Sequence, residues 1–327
     1  MAKKTHAHKS TASAVVCALL VALLIGVTWY VATSQRSLSL LSRPAAQLHS
    51  ESDAGYIPTS AEPLELELLA PQAFVYDCQA NEIVYRCGGD RVIYPASTTK
   101  LLTALCALEH LSPDELITPG EELSLVESGS SLAYIKSHHT LSVEMLVEGM
   151  LLPSGNDAAY ALAAAAGHRI DPAVTGEEAV AVFIKEMADY AARIGLVGTR
   201  FTSPDGLAGE EHYSTLEDIL LVSRLAMQNE VIARYAALSE DDVTYASGHT
   251  NHWVNTNELL RPESPYYHAA VTGLKTGSLD RNYCLIFTAT LDGRDYIVGL
   301  FGEWEKADRY TDAHVILDAL AQEGVVS

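Results

Sequence analysis

The stretch Tyr94-Pro-Ala-Ser-Thr-Thr-Lys-Leu-Leu-Thr-Ala-Leu105 sets a serine and a lysine three residues apart at the mouth of an apolar helix. Pro95 and Ser97 suit a helix start, and Leu101, Leu102, Leu105 and Leu108 recur at the three-and-four spacing of a buried stripe. Residues i and i+3 share one helix face, so the Lys100 amine reaches the Ser97 hydroxyl and, when neutral, can take its proton. The helix N-terminus favours negative charge that develops nearby. Serine and lysine are common, and one S-x-x-K by itself does not establish a catalytic pair.

Two later stretches extend the pattern. Leu151-Leu-Pro-Ser-Gly-Asn-Asp-Ala-Ala159 carries Ser154-Gly-Asn156, and Val271-Thr-Gly-Leu-Lys-Thr-Gly277 carries Lys275-Thr-Gly277. S-x-x-K, S-x-N and K-T-G in this order form the signature of penicillin-binding proteins and class A β-lactamases. The chain resembles the serine D-alanyl-D-alanine carboxypeptidases, the low-molecular-mass penicillin-binding proteins. Supporting matches are Phe201-Thr-Ser-Pro-Asp-Gly-Leu207, His212-Tyr-Ser-Thr215 with Asp218, and Asn255-Thr-Asn257. The resemblance runs from about Ala73 to Leu320.

Cleaving an acyl-D-Ala bond through serine needs a nucleophile, a base, a donor for the leaving amine and an oxyanion site. The resemblance casts Ser97 as nucleophile and Lys100 as base, its amine pushed down by burial and by the charge of Lys275. Ser154 would relay a proton to the departing amine, and Asn156 would hold Lys100 and the substrate backbone. Lys275 and Thr276 would bind the terminal carboxylate from a strand edge, while Gly277 lets the substrate backbone approach. The oxyanion hole would be the backbone N–H groups of Ser97 and Ser278. Taken singly, each has a plainer role: Lys100 a solvated helix lysine, Asn156 a helix cap.

The implied activity is removal of the terminal D-alanine from peptidoglycan stem peptides through a Ser97 acyl-enzyme. β-Lactams are the expected covalent inhibitors, and no cofactor or metal is expected. A D,D-endopeptidase on cross-links, or a penicillin-binding scaffold or sensor without turnover, are the alternatives. No Leu-Asn pair occurs in the chain, so the E-x-x-L-N base of class A β-lactamases has no counterpart. Two departures from the family are visible. Ser278 stands where relatives often carry a larger aromatic or His side chain. The stretch Gly302-Glu-Trp-Glu-Lys-Ala-Asp-Arg309 differs from the usual sequence, so a second carboxylate-binding arginine is not assigned there.

Of the 327 residues, 48% are hydrophobic and 19% charged, ordinary for a globular protein with a full-sized core. The net charge is −21, and every charge in the first 36 residues is positive (Lys3, Lys4, Lys9, Arg36), so the remainder is more acidic still. Nucleic acid is excluded as a partner for so acidic a body. Cys17, Cys78, Cys87, Cys106 and Cys284 are too few and scattered for a disulfide framework and are expected reduced. His249-x-x-His252 reads as loop polarity rather than a metal pair.

Ala14 to Ala32 is an uncharged run of 19 residues, about 28 Å as a helix and enough to span a bilayer core. With Lys3, Lys4 and Lys9 before it, the run predicts a retained transmembrane signal-anchor over residues 1–36, with the rest extracytoplasmic; a cleaved signal peptide is the competing expectation. Residues 37–71 read as a stalk in which Leu64 to Leu68 alternates like a strand, and residues 72–327 as the catalytic domain without a C-terminal β domain. Ala73 to Asp77 and Glu82 to Tyr85 predict a hairpin. Helical patterning follows from Leu101 to Asn229, with Ser214-x-x-Glu217 as a capping box and Pro153 breaking the apolar run before a helix from Asn156. Strands return at Ala269–Thr276, Tyr283–Thr290 and Tyr296–Phe301, with an Asp292-Gly293 turn, and a helix closes the chain near Thr311–Leu320. The fold class is therefore α/β (α+β): an antiparallel sheet built from both chain ends with a largely helical middle, DD-peptidase/β-lactamase-like by the resemblance.

Overall fold

The predicted hairpin forms: β1 (Gln72–Asp77) runs into β2 (Glu82–Cys87), with Asp77 opposite Glu82. The Asp77 carboxylate closes the turn by accepting from the backbone N–H groups of Gln79 and Ala80. Cys87 stands opposite Ala73, at the far end of the hairpin from Cys78, and both cysteines are free. The structure, a computed structural model, describes residues 57–89 and 91–323. The predicted anchor (14–32) and the stalk up to residue 56 lie outside the described residues. Among the described residues no helix is long and apolar enough to cross a membrane.

Residues 57–71, expected in the stalk, lie against the sheet instead. Ile83 N–H donates to the Pro58 carbonyl, Ser60 N–H to Ile83 and Leu64 N–H to Val84. The Leu64 to Leu68 alternation makes no strand; Leu64, Leu66 and Leu68 pack into apolar core. Their burial draws this segment onto the domain, whose packing begins before residue 72.

The middle is helical with two long interruptions, residues 109–142 and 194–215. A 3₁₀ turn (Ala96–Thr99) leads into α1 (Lys100–Leu108). Residues 109–142 depart from the expected helical run: Pro113, Pro119 and Gly120 break it, and β3 (Leu116–Ile117) pairs with β4 (Leu141–Ser142). Next come α2 (Val143–Leu151), α3 (Asn156–Ile170), α4 (Gly176–Arg193), α5 (Leu216–Gln228) and α6 (Glu230–Ala236). The capping box at Ser214 is corrected by one residue. Thr215 caps α5, its hydroxyl accepting from Asp218 N–H, while the Ser214 backbone bridges Ile93 and its hydroxyl pairs with Thr199 Oγ1 at 2.7 Å.

The hairpin β5 (Glu240–Thr244) and β6 (Thr250–Val254) precedes β7 (Val271–Leu279), β8 (Asn282–Leu291) and β9 (Arg294–Glu303). Asp292 (φ 49°) and Gly293 (φ 78°) both take the left-handed conformation that a two-residue hairpin turn demands. α7 (Asp308–Glu323) ends the described chain. The five-stranded antiparallel sheet has the order β2-β1-β9-β8-β7. Alternation along the strands gives it two apolar faces: Phe74, Tyr76, Ile286 and Phe301 meet the helical body, while Val75, Leu285, Phe287 and Leu300 meet α7. Outermost β7 presents its free edge beside the turn that carries Ser97.

Candidate active site

Ser97 sits on a turn held from two sides by bare glycine backbone. Ala96, just before it, takes φ 47°, a left-handed conformation costing roughly 1–3 kcal/mol for a non-glycine residue. On one side a Cβ at Gly206 would stand 1.9 Å from the Ala96 carbonyl oxygen; on the other a Cβ at Gly277 would stand 2.7 Å from the Pro95 oxygen. Gly277 of the K-T-G therefore lets strand β7 close onto the serine turn. Pro95 O also accepts from the Thr98 N–H (3.1 Å) and Thr98 Oγ1 (2.8 Å), tightening the turn.

Lys100 opens α1 and is fully buried. Its Nζ lies 2.9 Å from Ser97 Oγ, 2.8 Å from Asn156 Oδ1 and 2.9 Å from the Asp205 carbonyl oxygen. The last two groups only accept. A neutral amine gives one N–H to each and turns its lone pair to the Ser97 hydroxyl, which then donates. Burial pushes the Lys100 amine down to about 8, against the opposing pull of the Asp205 and Asp157 carboxylates. The like-charge effect expected from Lys275 is felt mainly at the other partner. Lys275, fully buried, is held well below the ordinary lysine range by burial first and then by Lys100 and Arg309.

Asn156 is the first residue of α3, and its backbone N–H donates to Ser131 O at 2.8 Å. Ser154 and Gly155 stay on the connection, Ser154 buried with φ 60°. Asp157 ties down the facing loop: its carboxylate accepts from Ala133 N–H (2.8 Å), Ile135 N–H (2.8 Å) and Ala158 N–H (3.0 Å). The Ala133 carbonyl in turn accepts from Trp253 Nε1 (3.0 Å) and Asn251 Nδ2 (2.7 Å). Burial nonetheless raises Asp157 above the usual carboxylate range.

The Phe201–Leu207 and His212–Thr215 stretches line up behind Lys100. Asp205 accepts from Ser203 Oγ (2.7 Å) and Leu207 N–H (3.0 Å), fixing the carbonyl that Lys100 uses. His212 Nδ1 accepts from Thr202 N–H (3.0 Å), so its Nε2 carries the proton given to Thr99 Oγ1 (2.8 Å). Burial, then the Lys100 charge, push His212 down to about 4, and the ring is neutral.

On β7, Lys275 Nζ donates to the Thr276 carbonyl (3.0 Å), and Thr276 Oγ1 lies 2.7 Å from Thr256 Oγ1. Two cavities of about 280 and 270 Å³ meet at Ser97. The first is lined by Ser154, Thr276, Lys306 and Arg309, the second by Glu127, Ser130, Asn156 and Leu207; Ser278 borders both.

Arg309, at the start of α7, is the residue that sequence reading missed. Though in the divergent 302–309 stretch, it is buried and donates from Nη1 to Gly277 O (3.1 Å), Cys284 O (3.1 Å) and Ser278 Oγ (3.4 Å). Its Nη2 donates to Tyr310 Oη at 3.1 Å. Behind it Glu303 is pushed up to about 8, first by burial and then by Asp312 and Asp308, so at neutral pH its carboxyl in the neutral form does not offset the arginine's charge. The residue type was in plain view in the sequence; nothing local marked it as reaching β7.

A helical body and an antiparallel sheet, with a Ser–Lys pair at their junction and a K-T-G strand edge beside it, define the serine DD-peptidase class of fold. The family model described as D-alanyl-D-alanine carboxypeptidase matches residues 58–303, and the chain belongs to this family. It is similar to a D-alanyl-D-alanine carboxypeptidase of a Streptomyces species (33% identity over 235 residues, 68% of this chain and 77% of the relative). It is also similar to DacF of Bacillus subtilis, with 27% identity over 261 residues, 78% of this chain and 62% of the relative. The chain thus spans 62% of DacF, and 58% of the related DacC of Escherichia coli. Among solved structures, the Streptomyces DD-transpeptidase superposes with a TM-score of 0.69 at 28% identity, covering 81% of this chain and all of that one. A penicillin-binding protein of Listeria monocytogenes in the ampicillin bound form superposes with a TM-score of 0.63 at 31% identity, covering 78% and 99%.

Proposed function

We propose that this protein is a serine-type D-Ala-D-Ala carboxypeptidase acting on peptidoglycan stem peptides. One observation carries the reading: a buried lysine, pushed down to about 8, with its amine 2.9 Å from Ser97 Oγ and two obligate acceptors taking its N–H groups. Family membership narrows the substrate to peptides ending in D-Ala-D-Ala.

In this reading Ser97 Oγ attacks the carbonyl carbon of the penultimate D-alanine as Lys100 Nζ takes its proton. The oxyanion forms towards the backbone N–H groups of Ser97 and Ser278. The C–N bond breaks, the proton that Lys100 took passes through Ser154 to the leaving amine, and D-alanine departs with the bond's electron pair and that proton, leaving Lys100 neutral. Water then attacks the Ser97 ester, Lys100 accepts a water proton, and the hydroxyl of Ser97 is restored. Lys275, Thr276 and Arg309 bind the terminal carboxylate, and the amide of Asn156 orients the substrate backbone. β-Lactams are covalent inhibitors in the same reading; the ampicillin bound form of the Listeria relative supports it.

The apolar run Ala14–Ala32 after Lys3, Lys4 and Lys9 supports a membrane anchor that holds the catalytic domain outside the cell. The test is direct. The full chain should release D-alanine from a stem pentapeptide and take one penicillin covalently, and Ser97→Ala should do neither. Labelling of the Ser97→Ala protein would overturn the assignment. Release from a cross-linked dimer but not from pentapeptide would move the activity to endopeptidase. Penicillin binding without any release would make the protein a sensor.

A further inference from the structure

α1 and α4 bring together three side chains that do not line the Ser97 cleft: Cys106 on α1, His110 just past its end, and Glu186 on α4. Cys106 Sγ, a ring nitrogen of His110 and a carboxylate oxygen of Glu186 all lie within 4.8 Å of one another. His110 Nε2 and Glu186 Oε1 are 3.3 Å apart. That is already a tetrahedral edge, since Zn–N and Zn–O bonds of about 2.0–2.1 Å put two ligands roughly 3.4 Å apart. A Zn–S bond of about 2.3 Å requires the sulfur to close by roughly 1 Å, within reach of ordinary side-chain rotation.

Burial and charge fit the same ion. Cys106 is wholly buried, while the side chains of His110 and Glu186 are 25% and 16% exposed, which gives an ion a path from solvent and leaves room for water in a fourth position. Glu186 Oε1 also accepts from Arg193 Nη2 at 2.8 Å. Arg193 is half exposed and can withdraw into water, leaving the carboxylate to the metal. The other charges nearby are Glu109 and Arg169; Arg169 Nη1 donates to the backbone carbonyl of His110 at 3.3 Å.

We propose that Cys106, His110 and Glu186 bind one zinc ion that ties the end of α1 to α4. Burial, with help from Glu186 and Glu109, pushes the Cys106 thiol up to about 12 in the metal-free protein, so binding expels one proton to solvent as the S–Zn bond forms. Thiolate, carboxylate and neutral imidazole then cancel the double charge of the ion, which suits a half-buried site. The ion acts on the helix that carries Lys100 and takes no part in the reaction. The three ligands come from positions up to 80 residues apart, a spacing that no short sequence pattern displays.

The experiment titrates the metal-stripped full chain with cobalt(II) and then zinc(II). Cobalt should give a near-ultraviolet thiolate charge-transfer band with tetrahedral visible bands at one equivalent, zinc should displace it, and zinc should raise Tm. Cys106→Ser should abolish the band, and His110→Gln and Glu186→Gln should each weaken binding by at least about tenfold. The two latter side chains are partly exposed, so their variants keep the test meaningful should Cys106→Ser fold poorly. No thiolate band in the wild-type chain, a band that survives Cys106→Ser, or affinity unchanged in both His110→Gln and Glu186→Gln would overturn the site.

Discussion

Asn156 Oδ1 accepts from the Lys100 amine at 2.8 Å, across the junction between the helix that follows Ser97 and the helix that follows Ser154. With the Asp205 carbonyl it occupies both N–H groups of a neutral amine and directs the remaining lone pair at Ser97. The amine is thereby oriented as well as buried.

The pH dependence follows with a definite sign. Burial lowers the Lys100 amine to about 8, so its neutral fraction grows as pH rises through that value. The rate of Ser97 acylation by penicillin, measured by stopped-time labelling, should climb about tenfold per pH unit below the midpoint and level off above it. A rate independent of pH between 6 and about 9 would remove Lys100 from the base role.

Asn156→Asp keeps the shape and adds a negative charge beside the amine. The carboxylate favours the protonated lysine, so the acylation midpoint should move above 8 and labelling at neutral pH should fall. An unchanged midpoint with a lower plateau would mean that Asn156 only positions substrate.

Gly277→Ala puts a Cβ 2.7 Å from Pro95 O and forces β7 away from the serine turn. The expected outcome is a folded protein, destabilised by about 1–3 kcal/mol, whose penicillin labelling is slowed far more than its Tm is lowered. Gly206→Ala meets the Ala96 carbonyl at 1.9 Å with φ 86° and should be the more damaging to folding. Denaturant melts of both variants, alongside labelling rates, separate the two effects.

Arg309→Gln removes a buried charge lining the part of the cleft proposed to take the substrate carboxylate. Loss of a buried charge-assisted contact costs about 2–5 kcal/mol, so kcat/KM on a peptide ending in a free carboxylate should drop about 30-fold or more. A substrate whose terminal carboxylate is amidated should lose little further. Equal losses on both substrates would show that Arg309 only braces Gly277 and Cys284.

Asp157→Asn should weaken the fold rather than the chemistry. One of its oxygens becomes an NH₂ group that confronts a backbone donor of the Ala133–Ile135 loop, and an orphaned buried N–H costs about 1–3 kcal/mol. Urea unfolding should report that loss. Unchanged stability would mean that the loop is held by Trp253 and Asn251 alone.

The sequence by itself determined what depends on near neighbours. The i, i+3 relation of Ser97 and Lys100, the β1–β2 hairpin, the Asp292-Gly293 turn and the strand-helix-strand layout follow from periods and turn chemistry spanning a few residues. Where a neighbour competes for the same group, local reading slipped: Ser214 scores as a cap, yet its backbone is engaged by Ile93, and Thr215 caps in its place. Likewise Leu64 to Leu68 alternates like a strand but is held by packing on the sheet. Only the tertiary structure decided that Arg309 reaches Gly277 across 32 residues, that the Asp205 carbonyl and Asn156 orient Lys100, and that Cys106, His110 and Glu186 meet. The reason is common to all three. Their partners are backbone carbonyls or side chains brought near by sheet order and helix packing, and the energy that selects them is the cost of burying a polar group without a partner, a quantity that exists only once the chain has folded.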